Sequence, residues 1–179
     1  MSLETNSETQ TELLLIQQPA VARCCGHGTS DFRSIDPPPI LSLKLKPSPR
    51  IFNSEYIVAA TLWSLDPNDE PFQELPNHLV GNTIAESRVL ENLQGSIDIF
   101  FIFPHLYIRK EGRYRLCFRL IKIFSPSQDS LIPTSSVIGT VFSNIVQVFL
   151  PKHFPGKSKP SLLMRMLVKQ TNDLKSRNL

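Results

Sequence analysis

Apolar and polar residues alternate along much of the chain, and a period of two predicts β-strands. Leu41, Leu43 and Leu45 alternate with polar neighbours, so we expect a half-buried strand whose lysines lie in water. The segment from Tyr56 to Leu65 is apolar at both parities, which predicts a strand that is central in the fold or covered by a partner. The alternation is densest between Ile97 and Phe124.

That densest segment predicts two strands joined by a turn at Glu111-Gly112. The residues predicted to share a face are Ile97, Ile99, Phe101 and Phe103 in the first strand and Tyr114, Leu116, Phe118 and Leu120 in the second. The parity changes at Leu120-Ile121, where a β-bulge would restore the pattern. Gly112-Arg113-Tyr114 at the start of the second strand resembles the tyrosine corner of immunoglobulin-like sandwiches.

Two other segments have a different pattern. Residues 66–95 hold three prolines, most of the acids of the central region and little periodicity, so we interpret them as a long surface connection. After a last strand predicted from Val141 to Leu150, Ser161 is a predicted helix N-cap. The apolar stripe of this C-terminal helix consists of Leu162, Leu163, Met166 and Leu167, with Arg165 and Lys169 on the polar side. We expect the helix to pack against the sheets.

Composition favours one all-β domain. The chain of 179 residues has 15 prolines and 7 glycines, and prolines end helices and occupy the edges and turns of sheets. Many short strands with stiff connections are therefore expected. We interpret residues 1–13 as a disordered tail and residues 172–179 as a C-terminal tail, which leaves a single domain over residues 14–171.

Charge is segregated along the chain although the net charge is only +3. Residues 54–98 hold eight acids and one base, whereas residues 151–179 hold seven bases and one acid. Such segregation indicates an electropositive face for a polyanion, or else a solvated tail that binds nothing. The three cysteines, two of them adjacent, do not form a disulfide framework, and Leu13–Ile16 is too short for a signal sequence or a membrane span. We expect an intracellular protein with reduced thiols and no membrane contact.

Motifs for catalysis are incomplete. Gly156-Lys157-Ser158 resembles the end of a phosphate-binding loop, but Pro151 stands where the motif needs a glycine. Cys24, Cys25 and His27 could offer zinc ligands, yet adjacent cysteines lack the two-residue gap that lets both reach one ion. We therefore expect no enzyme activity, no small-molecule substrate, no metal and no cofactor.

Two basic segments remain as candidate binding loops. The first contains Arg23, Cys25, Gly26, His27 and Arg33, and the second contains Lys152, His153, Lys157 and Lys159. Arginine presents a planar fork of donors to phosphate or guanine, and glycine lets the backbone approach a surface closely. Loops from distant parts of a sandwich can meet at one end, so the two segments could form one patch. Spacing alone equally fits ordinary turns with solvated charges.

Three ordered motifs carry a resemblance to a known family. They are Ala22-Arg23-x-Cys25-Gly26-x-Gly28 with Asp31-x-Arg33-x-Ile35-Asp36-Pro37-Pro38-Pro39-Ile40, then Phe101-x-Phe103-Pro104-x-Leu106-x-Ile108-Arg109-x-Glu111-Gly112-x-Tyr114-Arg115-Leu116, and Val141-Phe142-Ser143 followed by Lys152-x-Phe154-Pro155-Gly156. Together they closely resemble the signatures of the fungal velvet domain. The resemblance covers residues 14–171 and implies an immunoglobulin-like β-sandwich related to the Rel homology domain.

The resemblance also implies a function. Velvet proteins bind double-stranded DNA in a sequence-specific way, form homodimers or heterodimers with other velvet proteins, and control fungal sporulation, development and secondary metabolism. A nuclear location with a cytoplasmic pool is expected on the same basis. An alternative is an interaction scaffold that heterodimerises and controls the nuclear entry of its partner without binding DNA. The segment Tyr56 to Leu65 and the C-terminal helix are candidate dimer surfaces, and packing within the domain explains both equally well.

Carried onto this chain, the resemblance assigns candidate DNA contacts to the two loops and to Arg165. Cys25 takes the place of a cysteine that lies beside DNA in related Rel loops, so its oxidation could alter binding. The family usually has two arginines where this chain has Phe32-Arg33, which removes one candidate contact. Lys157-Ser158-Lys159 is more basic than the usual continuation and could compensate. The Ser-Thr pair before the family's C-terminal helix is reduced to Pro160-Ser161.

Overall fold

The computed structural model describes residues 11–27, 32–45, 54–124 and 134–171, and this part of the chain consists mainly of β-strands. The strands are β1 (Thr11–Gln17), β2 (Val21–Arg23), β3 (Ile40–Leu45), β4 (Ser54–Leu65), β5 (Pro71–Glu74), β6 (Leu79–Gly81), β7 (Ile84–Glu86), β8 (Arg88–Glu91), β9 (Ile97–Ile102), β10 (Leu106–Ile108), β11 (Gly112–Phe124), β12 (Thr134–Phe142) and β13 (Val146–Phe149). A 3-10 turn at Pro151–His153 and one α-helix, α1 (Leu162–Gln170), follow. The predicted all-β class with a C-terminal helix is confirmed.

Two open sheets form a β-sandwich. The smaller sheet has the order β1-β3-β9-β8, and the larger has the order β2-β13-β11-β4-β5. In the larger sheet β12 also pairs with β11, and β7 also pairs with β4. Strands β10 and β6 form a separate two-stranded ribbon. Because β4 has neighbours on both sides, the strand that is apolar at both parities is central in its sheet.

The main core lies between the facing sheets and follows the predicted alternation in β3 and β11, whereas Ile97 of β9, predicted to share the inner face, is 66% exposed. Leu41 and Leu43 of β3 and Phe101 of β9 enter it from the smaller sheet. The larger sheet contributes Tyr56, Val58, Ala60 and Leu62 from β4 and Leu116, Phe118 and Leu120 from β11. Each large apolar side chain that is fully buried contributes about 1.5–3 kcal/mol relative to an exposed one.

Helix α1 covers the outer face of the smaller sheet. Ile40, Phe100 and Ile102 on that face form a second buried cluster with Met164 and Leu167 of the helix. The expectation that the helix packs against the sandwich is correct. No helix in the described part of the chain combines the length and apolar character needed to cross a membrane.

The position of the helix corrects two details of the sequence prediction. Ser42 is buried rather than wet, since it shares the face of β3 on which the helix cluster packs, while Lys44 is exposed as expected. In the helix, Met164 takes the buried place that was predicted for Leu162, which is 63% exposed. The packed face of the helix therefore begins at Leu163, one residue later than the pattern indicated.

Both ends of α1 are anchored by side-chain hydrogen bonds. The backbone N–H of Met164 donates to Oγ of Ser161 at 3.0 Å, which confirms the predicted N-cap. At the other end, the side-chain amide of Gln170 accepts from the backbone N–H of Glu91 at 2.9 Å and donates to its carbonyl at 3.0 Å. Glu91 belongs to β8, the edge strand of the smaller sheet.

Three boundaries differ from the sequence prediction. Residues 66–95 are not a long connection, since β5 to β8 all lie within them. The strand expected from Val141 to Leu150 is divided into β12 and β13 at Ser143, whose buried Oγ accepts from the backbone N–H of Leu116. Strand β1 begins at Thr11, opposite Leu45, so residues 11–13 belong to the sheet and not to the predicted tail. Residues 1–10 and 172–179 lie outside the described residues.

The predicted tyrosine corner is present. The hydroxyl of Tyr114 donates to the carbonyl of Glu111 at 3.0 Å, and burial raises the pKa of this hydroxyl, which keeps the donor protonated. The pairing of β11 with β12 shifts register at Leu120-Ile121, where a bulge was predicted. The additional residue is Ile138 of β12, so the bulge lies on the neighbouring strand and leaves β11 regular.

Candidate nucleic-acid interface

Parallel pairing of β2 with β13 brings the two basic segments to one end of the sandwich. Val21 pairs with Gln147 and Arg23 pairs with Phe149, so both strands end at the same edge. The first loop leaves β2 at this edge, and the second segment starts three residues beyond Phe149 at Lys152. Loops held on a rigid β scaffold are common binding surfaces.

The backbone of the first loop is fixed by three neighbouring segments. The N–H groups of Cys24, Cys25 and Gly26 donate to the carbonyls of Phe149, Ile108 and Arg109 at 2.9, 2.9 and 3.0 Å. The loop therefore lies between the end of β13 and the turn after β10. Gly26 adopts φ +62°, a left-handed conformation that favours glycine. Residues 28–31 of this segment lie outside the described residues.

Arg109 is a structural residue of the site that sequence reasoning did not select. Its Nε donates to the carbonyl of Asn77 at 3.1 Å, and its Nη1 donates to the carbonyl of Gly26 at 2.9 Å. Its backbone N–H donates to the carbonyl of His78 at 3.0 Å. One side chain thus joins the first loop to the turn before β6. The only sequence signal was its place in the central family motif.

The segment that contains Arg33 contacts the segment that contains Lys157. The ring of Phe32 contacts the ring of Tyr107 in β10 with centroids 5.1 Å apart, which places exposed Arg33 next to this ribbon. The N–H of Ser158 donates to Oδ2 of buried Asp36 at 2.6 Å. A small cavity of about 30 Å³, enough for one water, is lined by Ser34 and Lys157 among others.

The remaining predicted contacts occupy two different places. Lys152 and His153 are exposed in the 3-10 turn directly after β13, at the edge reached by the first loop. Lys159 is exposed two residues beyond Lys157. Arg165 lies instead on the exposed side of α1, which packs on the smaller sheet. The structure therefore brings the start of the first loop and Lys152 to one edge and Lys157 beside Ser34, whereas Arg165 belongs to another element.

Three acids that follow β4 form ion pairs with arginines of β11. Arg113, Arg115 and Arg119 of β11 form ion pairs across the larger sheet. Their partners are Asp69 at 2.8 Å, Glu70 at 3.6 Å and Glu74 at 3.0 Å. Because β4 ends at the same end of the larger sheet as β2 and β13, Asp69 and Glu70 lie at that end too, where these ion pairs offset their charge.

The geometry of Cys25 bears on the hypothesis of redox control. Its Sγ lies 3.8 Å from the carbonyl of Gly26, to which the thiol donates. Burial raises the pKa of this thiol, although nearby Arg109 opposes the shift. Since the thiolate is the reactive form, the raised pKa makes Cys25 a slower target for oxidants than a free cysteine. Among the described residues, no group of three or more His, Cys, Asp or Glu side chains is placed to hold a metal ion.

The fold and these loops define a β-sandwich protein whose candidate binding residues lie at one end. The family model described as velvet factor matches residues 11–74 and 65–178. Since these matches cover most of the sequence, the chain belongs to the velvet family.

Curated relatives have related names. The chain is 28% identical to the sexual development regulator umv3 of Mycosarcoma maydis over 93% of its own length. It is 30% identical to the spore development regulator vosA of Beauveria bassiana over 95%, and 29% identical to the developmental and secondary metabolism regulator veA of Hapsidospora chrysogenum over 93%. It spans 45%, 67% and 36% of these three relatives.

Proposed function

We propose that this chain is a regulator of fungal development, sporulation and secondary metabolism that binds double-stranded DNA through the two basic segments at the β2–β13 edge. The names of its relatives support the regulatory role. The observation that carries the DNA-binding proposal is the parallel pairing of β2 with β13, which gives Arg23 and Lys152 a common edge. The family relation supports action in the nucleus with a cytoplasmic pool.

The mechanism combines two kinds of contact. Lysines of the second segment neutralise phosphates, which gives an affinity that falls with salt and carries no sequence information. Arg23 or Arg33 reaches base edges, where a bidentate contact discriminates by about 1–3 kcal/mol per base. The hydrogen bonds that fix Cys24, Cys25 and Gly26 hold this part of the first loop in place before DNA arrives, so these three residues need little ordering on binding.

The test is fluorescence-anisotropy binding of a random duplex pool across a salt series. Wild type is expected to select a motif and to lose affinity steeply as salt rises. Removing two positive side chains in Arg33→Ala/Lys152→Ala is expected to weaken binding roughly tenfold or more and to reduce the salt slope by about one, since the lost phosphate contact of Lys152 contributes about 0.9.

A matched control removes the same charge elsewhere. Lys122 lies over the Phe124 ring at the far end of β11, and Lys169 is exposed in the last turn of α1. Lys122→Ala/Lys169→Ala should therefore bind much like wild type. Equal loss in both double variants would mean that only net charge matters. Failure of wild type to bind any duplex at low salt would reject DNA binding by the homomeric protein.

The alternative function, an interaction scaffold, is favoured by one observation on the larger sheet. Ile84 pairs with Ala59 and Val137 pairs with Ile121, all on the face of the sheet that is turned away from the core. Ile84 is 59% exposed and Val137 is 56% exposed. Exposed apolar side chains that span several strands are typical of protein interfaces. We propose that a second velvet chain covers this face.

Changing Ile84→Lys is expected to weaken that association at least tenfold, because it puts a charge into an apolar contact. Sedimentation velocity over a concentration series measures the dimer constant. Val89→Lys is the control, since Val89 is 68% exposed on β8 of the other sheet. A protein that is monomeric at every concentration, or a dimer indifferent to Ile84→Lys, would remove this face as the dimer surface.

A further inference from the structure

A pocket opens beside the first loop. It has a volume of about 280 Å³ and is lined by His27, Asn77, His78, Arg109 and Lys110. Four of these five side chains are imidazole, guanidinium or ammonium groups, and none of the described residues that line the pocket is acidic. We propose that this basic pocket binds a phosphate group of the DNA backbone, an inference that rests on the DNA-binding function proposed above.

The walls of the basic pocket are held rigidly by hydrogen bonds. Arg109 joins two walls by using two of its five N–H donors for the carbonyls of Asn77 and Gly26, which leaves the other three for a ligand. Nδ1 of His78 lies 3.2 Å from the carbonyl of Pro76 and donates to it, so Nε2 remains for a ligand. A phosphate favours the doubly protonated ring, in which Nε2–H is a donor.

Size and charge both fit a phosphate. The pocket volume of about 280 Å³ equals the volume that about nine water molecules occupy in the liquid, at roughly 30 Å³ each. This space accommodates one phosphate and part of its hydration shell. Phosphate oxygens accept hydrogen bonds from arginine and lysine, and such charge-assisted bonds are shorter and stronger than neutral ones. The pocket therefore provides several donors and positive charge around one anion.

The position of the basic pocket connects it to the proposed DNA surface. The loop that carries His27 forms one wall, and the same loop bonds Phe149 through the N–H of Cys24 on its other side. Lys152 follows three residues later. A duplex bound on the two segments therefore reaches the turn that carries Lys110, which extends the contact surface beyond the residues selected from the sequence.

The first experiment uses the protein alone and inorganic phosphate. Two-dimensional ¹H–¹⁵N NMR, with chloride at equal ionic strength as reference, is expected to show saturable shifts at the backbone amides of His27, His78 and Lys110, with an affinity on the order of millimolar. His27→Gln/Lys110→Gln should abolish saturation. Both side chains are exposed, so the fold is expected to persist and the spectrum checks it. Shifts that are unsaturable, or unchanged in the double variant, would overturn the site.

The second experiment identifies the source of the phosphate. Duplex binding by Lys110→Gln is expected to be about threefold or more weaker than wild type, with the salt slope lower by about one, whereas Lys169→Gln remains unchanged. Normal DNA binding by Lys110→Gln would overturn the assignment to backbone phosphate. If wild type does not bind DNA but the phosphate shifts saturate, the proposed function fails while the phosphate site stands, with free phosphate as its ligand.

Discussion

Changing Phe118→Ala is expected to lower the free energy of unfolding by about 3–5 kcal/mol, because it removes a fully buried aromatic ring and leaves a cavity. Phe118 lies in the middle of β11 and contacts the ring of Phe103 with centroids 5.2 Å apart. Phe118 belongs to the core cluster that both sheets share, so the loss falls between the two sheets. Chemical denaturation followed by tryptophan fluorescence of Trp63 measures the change.

The control for this prediction is Phe72→Ala in β5. Phe72 is 69% exposed, so its removal should change stability by no more than about 0.5 kcal/mol. A small effect of Phe118→Ala, similar to that of Phe72→Ala, would show that the two sheets do not enclose a tightly packed core. If the dependence of the unfolding free energy on denaturant concentration has the same slope in Phe118→Ala and wild type, the shift of the unfolding midpoint reports a change in stability alone.

Changing Gly81→Ala is expected to cost about 2–5 kcal/mol of unfolding free energy. Gly81 has φ +98°, and a Cβ atom there would lie 2.0 Å from the carbonyl oxygen of His105. The backbone conformation alone costs an alanine about 1–2 kcal/mol, and relieving the clash adds about 1–3 kcal/mol because a backbone atom must move. Thermal or urea unfolding of the variant tests the sum.

Gly95→Ala separates the two causes. Gly95 also has a positive φ, +79°, but the nearest atom to an added Cβ lies at an ordinary 3.6 Å. Its alanine variant should therefore show only the conformational cost of about 1–2 kcal/mol. Equal losses in both variants would mean that the contact with His105 is not limiting. Since Gly81 ends β6, which pairs with β10, Gly81→Ala should also shift the NMR signals of Arg109 and Lys110.

Strands with strong alternation could be predicted from the sequence because one face of each is buried. The faces of β3 and β11 that carry Leu41 and Phe118 follow the pattern directly, whereas β4 is apolar at both parities and its inward face was not predicted. The pattern was less informative for residues 66–95, where strands of three or four residues are too short to show a period. Ser42 was placed wrongly because a period of two cannot show that a distant helix covers the second face.

The candidate site was only partly visible in the sequence. Composition and the family motifs led to Arg33 and Lys152, but their common edge depends on the parallel pairing of β2 with β13, between strands more than 100 residues apart. Arg109 was not selected as a site residue because its role is to bond two backbone carbonyls, and no pattern in the sequence predicts such a contact. The pocket around it requires the turns before β6 and after β10 to meet, which is a property of the folded chain.

The hydrogen bonds between Gln170 and Glu91 have a consequence for aggregation. An open edge strand exposes N–H and C=O groups to which a strand of another molecule can add. At Glu91 the side-chain amide of Gln170 occupies both groups, in the manner of a neighbouring peptide. Helix α1 thus covers part of the β8 edge of the sandwich, and it opposes the addition of a strand from another molecule to this edge.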